Sequence, residues 1–148
     1  MTGNRPLSAE TVHASSVAID GRAVLITGPS GSGKSDLALR LLDRGFALLS
    51  DDQTIVRRDG DRLIASAPPQ IAGKLEVRGI GILDVDWVTD VPVALLVELK
   101  SDIQRLPDDS GQRPMLGVPL PLVTIDAMTA SAPSKVALAL DRLGLALK

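Results

Sequence analysis

The sequence predicts a single α/β domain in which a mixed, strand-rich sheet carries one phosphate-binding loop. Residues 28–35 fill every fixed position of the pattern Gly, any four residues, Gly-Lys-Ser/Thr. The apolar residues 23–27 enter this loop as a buried strand, and residues 35–44 leave it as a helix. Strand patterns outnumber helical ones elsewhere, unlike the strict strand–helix alternation of a doubly wound nucleotide-binding fold.

Composition agrees with one domain that spans residues 1–148, of which 1–10 are expected to be a flexible N-terminus. The chain has 148 residues and is 45% hydrophobic, which is enough for a real core. Its aromatic residues are limited to Phe46 and Trp87. The core is therefore predicted to consist of Leu, Ile, Val and Ala.

Charge and apolar runs narrow the class of protein. The formal net charge of −2 gives no electrostatic case for a nucleic-acid partner. No cysteine is present, which is compatible with a reducing cytosol. The longest apolar run, residues 91–99, is broken by Pro92 and is too short to span a bilayer. We expect a cytoplasmic protein with no membrane association.

The first half of the chain reads as a series of hairpins and one helix. Residues 12–19 form a strand that turns at Asp20-Gly21 and pairs with 23–27. After the helix, Gly45 stands where a left-handed residue closes a helix. A short strand, 46–49, is followed by the acidic pair Asp51-Asp52. Residues 54–58 and 62–65 flank another hairpin turn.

The second half begins with a strand at 80–85 and continues with a continuous apolar strand at 93–99, predicted to be central. A polar loop follows at 107–111. Residues 118–125 contain Pro119 and Pro121 and are therefore predicted to be an edge strand or irregular. A helix begins near Ser134, with an apolar face that follows helical spacing. That face comprises Val136, Leu140, Leu143 and Leu147.

The phosphate-binding loop predicts a nucleoside triphosphate and Mg²⁺ as ligands. Glycines let backbone N–H groups turn toward phosphate oxygens, and the following helix adds its positive dipole end. Lys34 would reach the β- and γ-phosphates, and the Ser35 hydroxyl would bind Mg²⁺. Pyrophosphate is an alternative donor, since such a loop reads phosphates rather than a base. The predicted loop residues are Gly28, Pro29, Ser30, Gly31, Ser32, Gly33, Lys34 and Ser35.

Asp51 and Asp52 follow a short strand and suit phosphate chemistry. One carboxylate would hold Mg²⁺, directly or through water, and the other would accept a proton from an attacking hydroxyl. The sequence leaves open which does which. A solvated turn capped by aspartates is the alternative.

Four further candidates stay open on sequence alone. Glu76 and Arg78 share one side of an extended segment, where a carboxylate suits a metal and a guanidinium suits a phosphate. A salt-bridged surface strand would show the same pattern. His13, the single histidine, is either structural or catalytic. Arg105 is either a transition-state arginine or a surface charge.

Taken in order along the chain, these residues resemble the C-terminal kinase domain of the HPr kinase/phosphorylase family. The resemblance rests on His13, the loop at 28–35, Asp51-Asp52 and the segment 75–82, Leu-Glu-Val-Arg-Gly-Ile-Gly-Ile. It covers the chain from about His13 to the C-terminal helix. It implies a P-loop domain whose core is like that of phosphoenolpyruvate carboxykinase. Members of the resembled family phosphorylate a serine of the carrier protein HPr in the bacterial phosphotransferase system.

The resemblance also implies residue roles. His13, Lys34, Asp52 and Arg105 match catalytic residues, with Asp52 as the proton acceptor. Ser35 and Glu76 match Mg²⁺ ligands, and ATP is the implied phosphate donor. The family forms hexamers, so a homo-oligomer is implied.

Two departures from the family are visible. Longer members carry an N-terminal domain, and the chain resembles a short form without one. The family's Pro-Gly-Arg-Asn-like segment is replaced at residues 130–135, which puts phosphorylase activity and metabolite control in doubt. The competing hypotheses are a small-molecule kinase, which would need an arginine-rich lid, and a non-catalytic nucleotide sensor, which would not need His13, Asp52 and Glu76 together.

Overall fold

The computed structural model describes residues 8–101 and 111–146. Within these ranges the helices are α1 (Lys34–Leu42) and α2 (Ala132–Leu143), with one 3-10 turn at Pro69–Ile71. The strands are β1 (Ala9–Val12), β2 (Ala14–Ile19), β3 (Arg22–Thr27), β4 (Ala47–Ser50), β5 (Thr54–Asp59), β6 (Arg62–Ser66), β7 (Lys74–Val77), β8 (Gly81–Asp84), β9 (Val91–Leu99), β10 (Gln112–Met115) and β11 (Val118–Ile125). Neither helix is long and apolar enough to cross a membrane.

The main sheet brings several strand ends to one edge. Its order is β1-β5-β6-β9-β3-β2-β4, with β11 beside β9 and β10 beside β11. Strands β3, β9 and β11 are mutually parallel along this path, so their carboxyl ends coincide. Strand β2 runs antiparallel to both β3 and β4, so β4 ends at the same edge and β2 begins there. The phosphate-binding loop, Asp51-Asp52 and His13 therefore meet at this edge.

Two apolar clusters fill the faces of the sheet. Val24 and Ile26 point toward α1 and α2, and Leu25 points toward the β5–β6 hairpin on the other face, as strand alternation requires. Phe46 is the aromatic residue among the buried hydrophobic side chains of the described ranges, and the rest are aliphatic. The predicted aliphatic core is confirmed.

Most predicted elements are present. The β2–β3 and β5–β6 hairpins form in antiparallel register, with Asp20 and Gly21 both at positive φ in the first turn. Strand β9 is central, with β3, β6 and β11 as neighbours. Gly45 adopts a φ of 94° just beyond α1. The segment 74–84 adds a separate two-stranded sheet, β7–β8.

Two local predictions need correction, those for residues 9 and 10 and for Leu143, whereas the edge alternative predicted for residues 118–125 is confirmed. Residues 9 and 10 belong to β1, which pairs with β5, rather than to a flexible N-terminus. Residues 118–125 form a continuous strand, whose first half pairs with β10 and second half with β9. Each half thus has one partner strand, an edge position that tolerates proline. Leu143 is exposed because α2 ends there, beyond the buried Val136 and Leu140.

Candidate active site

The phosphate-binding loop joins β3 to α1 in a conformation that requires glycine at two positions. Gly31 has a φ of 80° and Gly33, the N-cap of α1, a φ of 99°. Both lie in the left-handed region that other residues rarely adopt. A Cβ on Gly33 would also lie 3.2 Å from the Ala127 Cβ. The backbone is further fixed by the Ser32 N–H, which donates to the Pro29 carbonyl at 3.0 Å.

The positively charged side chain of Lys34 lies inside this loop. The Lys34 side chain is buried, and its Nζ donates to the carbonyl oxygens of Gly28 at 2.9 Å and Pro29 at 3.2 Å. The Ser32 Oγ is buried and has no hydrogen-bond partner within the described ranges. An ammonium group and an unpaired hydroxyl beside a helix N-terminus fit a phosphate group.

Asp51 is the hydrogen-bond centre of the site. Its Oδ1 accepts from Ser35 Oγ at 2.6 Å and from Ser15 Oγ at 3.0 Å, and its Oδ2 accepts from the Glu76 N–H at 3.1 Å. The carboxylate is buried beside the first turn of α1. Ser35 and Asp51 together offer the oxygen donors that Mg²⁺ prefers. Of the two aspartates, Asp51 is the one that faces the phosphate-binding loop.

Asp52 faces a different group. Its Oδ1 lies 2.7 Å from His13 Nε2, and both side chains are about half exposed. Asp52 has a φ of 68°, in the left-handed region, and its carboxylate contacts His13, whereas that of Asp51 contacts Ser35. A carboxylate paired with an imidazole and open to solvent can take a proton from an incoming hydroxyl.

Of the other predicted residues, Glu76 and Arg78 lie on or just beyond β7, and Arg105 belongs to a part of the chain that the structure does not describe. In β7 the alternation is as predicted, with Leu75 buried and Glu76 exposed; Arg78, just beyond the strand, is also exposed. The Glu76 backbone touches Asp51, and its carboxylate role as a metal ligand stays a prediction. Within residues 8–101 and 111–146, no three His, Asp or Glu side chains cluster to hold a metal by themselves.

Two side chains that sequence reasoning did not single out support the site. Ser15 bonds to both residues of the acidic pair. Arg40 on α1 donates to the carbonyls of Ala127 and Thr129, which ties the β11–α2 loop to the helix after the phosphate-binding loop. The signal for Ser15 was a hydroxyl in a strand of apolar residues. For Arg40 it was an arginine three residues after the buried Leu37.

The fold and these contacts define a P-loop α/β domain with an acidic pair beside its phosphate-binding loop. The HPr serine kinase C-terminal domain family matches residues 6–137, and the chain belongs to this family. The resemblance inferred from the sequence is therefore confirmed, as is the predicted fold class.

Known relatives carry the same family name. The chain is 36% identical over 132 residues to HPr kinase/phosphorylase of Clostridium botulinum, covering 80% of the chain and 43% of the relative. The corresponding enzyme of Chlorobium limicola is 39% identical over 127 residues, covering 76% of the chain and 38% of the relative. The chain thus spans about two fifths of the length of these relatives.

A solved structure shares the fold. The Hpr(Ser) kinase/phosphatase from Coxiella burnetii matches with a TM-score of 0.77 and 30% sequence identity. The match covers 89% of this chain and 94% of that one. The two chains therefore share the same overall fold.

Proposed function

We propose that this chain is the catalytic domain of an ATP- and Mg²⁺-dependent protein serine kinase whose substrate is an HPr-like phosphocarrier. The observation that carries the proposal is the His13–Asp52 contact at 2.7 Å, located next to the residue that touches Ser35 of the phosphate-binding loop. An acid–base pair and a phosphate site are thereby adjacent. The names of the relatives supply the substrate class.

The nucleotide and the metal ion are assigned to particular residues. The glycines of residues 28–33 and Lys34 would hold the phosphates, and Ser35, Asp51 and Glu76 would hold Mg²⁺. When bound, the cation supplies neutralisation of the phosphate charge. The buried Lys34 ammonium and the Ser32 hydroxyl, which has no hydrogen-bond partner among the described residues, fit this arrangement.

The chemical step is a direct transfer. The acceptor serine Oγ forms a bond to the γ-phosphorus as the bond to the bridging oxygen of ADP breaks. The hydroxyl proton passes to Asp52, and His13 beside it stabilises and relays that proton. Arg105, and Arg78 as a weaker candidate, would stabilise the charge on the phosphoryl group. In the reverse direction Asp52 returns the proton, and the altered segment at residues 130–135 makes this direction weak or absent.

The proposed substrate also indicates the cellular role, location and assembly of the protein. A kinase for an HPr-like carrier would regulate the bacterial phosphotransferase system in the cytoplasm and would act as a homo-oligomer, a hexamer by family resemblance. The site needs neither nucleic acid nor a membrane.

The test is incubation of the purified chain with ATP, Mg²⁺ and HPr, followed by intact-mass measurement of HPr. Wild type should add one phosphate, Lys34→Ala should lose nucleotide binding, and Asp52→Asn should bind nucleotide without transfer. Pyrophosphate in place of ATP tests the alternative donor. Nucleotide binding with no transfer to HPr would contradict the proposal, and an ATP-depletion screen would then separate a small-molecule kinase from a nucleotide sensor.

A further inference from the structure

We propose that Ser15 is a positioning residue that directs the adjacent carboxylates Asp51 and Asp52 to different tasks. The proposal rests on the proposed kinase function and names a group that controls how that site is assembled. Ser15 itself would touch neither nucleotide nor acceptor.

The location of Ser15 follows from strand alternation. Ser15 lies two residues before Val17 on β2, and Val17 packs with Leu37 and Leu41 of α1. Residues two apart on a strand share a face, so Ser15 faces the start of α1. It is fully buried there, under the acidic pair. A buried hydroxyl at this place needs partners, and both neighbours in the acidic pair supply one.

The two hydrogen bonds of Ser15 differ in direction. Its Oγ donates to Asp51 Oδ1 at 3.0 Å and accepts from the Asp52 N–H at 3.0 Å. One hydroxyl therefore fixes the side chain of the first aspartate and the backbone of the second. The single donor of the hydroxyl and one of its two acceptor lone pairs are thereby used.

For Asp52 the consequence is that the hydrogen bond to Ser15 stabilises its left-handed backbone conformation. A φ of 68° is unfavourable for a residue with a side chain, at a cost of roughly 1 kcal/mol or more, and needs support from its surroundings. The bond from the Asp52 N–H to Ser15 gives that support. This conformation places the Asp52 carboxylate 2.7 Å from His13, which precedes Ser15 by two residues. Residues 13–15 thus contact both the backbone N–H and the carboxylate of Asp52.

For Asp51 the consequence is a fixed carboxylate. Three donors, from Ser15, Ser35 and the Glu76 backbone, surround its two oxygens. They aim it at the phosphate-binding loop. Asp51 is thereby committed to the nucleotide side and Asp52 to the acceptor side, although the two residues are consecutive.

The neighbouring Ser16 offers a matched control. It is equally buried on the same strand, and its hydroxyl lies 2.9 Å from Thr54 Oγ1. It lies on the opposite face and makes no side-chain hydrogen bond to Asp51 or Asp52 within the described ranges. Ser16→Ala therefore reports the general cost of removing a buried hydroxyl from β2.

The first readout needs no activity. Amide hydrogen exchange measured by NMR should show faster exchange at Asp52 in Ser15→Ala, by about tenfold or more, with wild-type rates in Ser16→Ala and Ser15→Thr. Unfolding midpoints of all variants separate this local effect from global stability. Unchanged protection of Asp52 in Ser15→Ala would overturn the proposal. The result is informative even if wild type transfers no phosphate, in which case the kinase assignment fails on its own account.

The second readout is kinetic. Ser15→Ala should lower kcat by about 10- to 100-fold with the KM for ATP within about threefold of wild type, since misplacement of a reacting group affects the chemical step. Ser15→Thr, which keeps the hydroxyl, should restore kcat, and Ser16→Ala should resemble wild type. Equal losses of kcat in Ser15→Ala and Ser16→Ala would assign Ser15 a merely structural role.

Discussion

Ser35 Oγ donates a hydrogen bond to Asp51 Oδ1 across 2.6 Å and so joins the first turn of α1 to the residue that follows β4. The two residues meet because β3 and β4 run in the same direction, on either side of β2, and end at one edge of the sheet. Asp52 follows directly and reaches His13. The carboxylate proposed to hold the cation and the carboxylate proposed to take the proton therefore belong to consecutive residues.

Asp51→Asn should weaken the coupling between Mg²⁺ and nucleotide. Asparagine keeps the size of the side chain and removes its charge beside Ser35. The Mg²⁺ concentration needed for half-maximal ATP binding should rise by about 10- to 100-fold. Nucleotide titrations at a series of Mg²⁺ concentrations measure this, with Asp52→Asn as the matched control. Equal Mg²⁺ dependence in the two variants would show that Asp51 does not serve the cation.

The two left-handed glycines of the phosphate-binding loop should differ in their tolerance of alanine. A Cβ on Gly33 would meet the Ala127 Cβ at 3.2 Å and the Met128 Cε at 3.4 Å, whereas a Cβ on Gly31 would meet nothing within 4 Å. Gly31→Ala should cost about 1 kcal/mol from backbone strain alone, and Gly33→Ala roughly 1–3 kcal/mol. Urea unfolding of both variants measures the difference. A larger loss for Gly31→Ala would contradict the packing described for α1.

Most strands and hairpins of the fold could be predicted from local patterns in the sequence. The turns at Asp20-Gly21 and around Gly60 are encoded by residues that accept positive φ, and both hairpins are present. The continuous apolar stretch within β9 predicted a strand buried on both faces. These features depend on neighbours in sequence, so sequence patterns reveal them.

Contacts between distant residues were harder to predict. Residue patterns alone left the roles of Asp51 and Asp52 open, and only the family resemblance assigned the proton to Asp52. In the structure the distinction arises from partners 36 to 39 residues away, Ser15 and His13. The register between β2 and β4 shifts at Ser16/Val17, and no local signal announces such a shift. For residues 118–125 the prolines left an edge strand and an irregular segment as alternatives, and the second half pairs with β9, a strand that lies much earlier in the sequence.

Asp90 should contribute to stability near neutral pH and lose that contribution as the pH falls below about 4. The hydrogen bond from Ser66 Oγ at 2.7 Å, followed by that from Arg57 Nη1 at 2.9 Å, lowers the pKa of the Asp90 carboxyl from its ordinary value of 3.8. A lowered pKa in the folded state gives stability that is present above the unfolded value and lost as pH falls through the folded one. The side chain is more than half exposed, so the contribution should stay below about 1 kcal/mol.

Asp90→Asn isolates that charge. Asp90 has a φ of 60°, which asparagine also tolerates, so the backbone should be unaffected. The variant should be less stable than wild type at pH 7, and the difference should shrink as pH falls below 3.8. Urea unfolding at pH 7, 4 and 3 measures both free energies. A difference that grows toward low pH would give the opposite sign and contradict the assignment.

His13 and Asp52 should act as a unit in phosphoryl transfer. If Asp52 accepts the proton and His13 stabilises it through their 2.7 Å contact, each single change, His13→Ala or Asp52→Asn, should lower kcat by about 10²- to 10⁴-fold. The double variant should then be little worse than Asp52→Asn, because the contribution of His13 is made through its partner. The free energy of unfolding should change by less than about 0.5 kcal/mol, since both side chains are half exposed. Kinetic losses that multiply in the double variant would show two independent roles and would remove the case for Asp52 as a base tuned by His13.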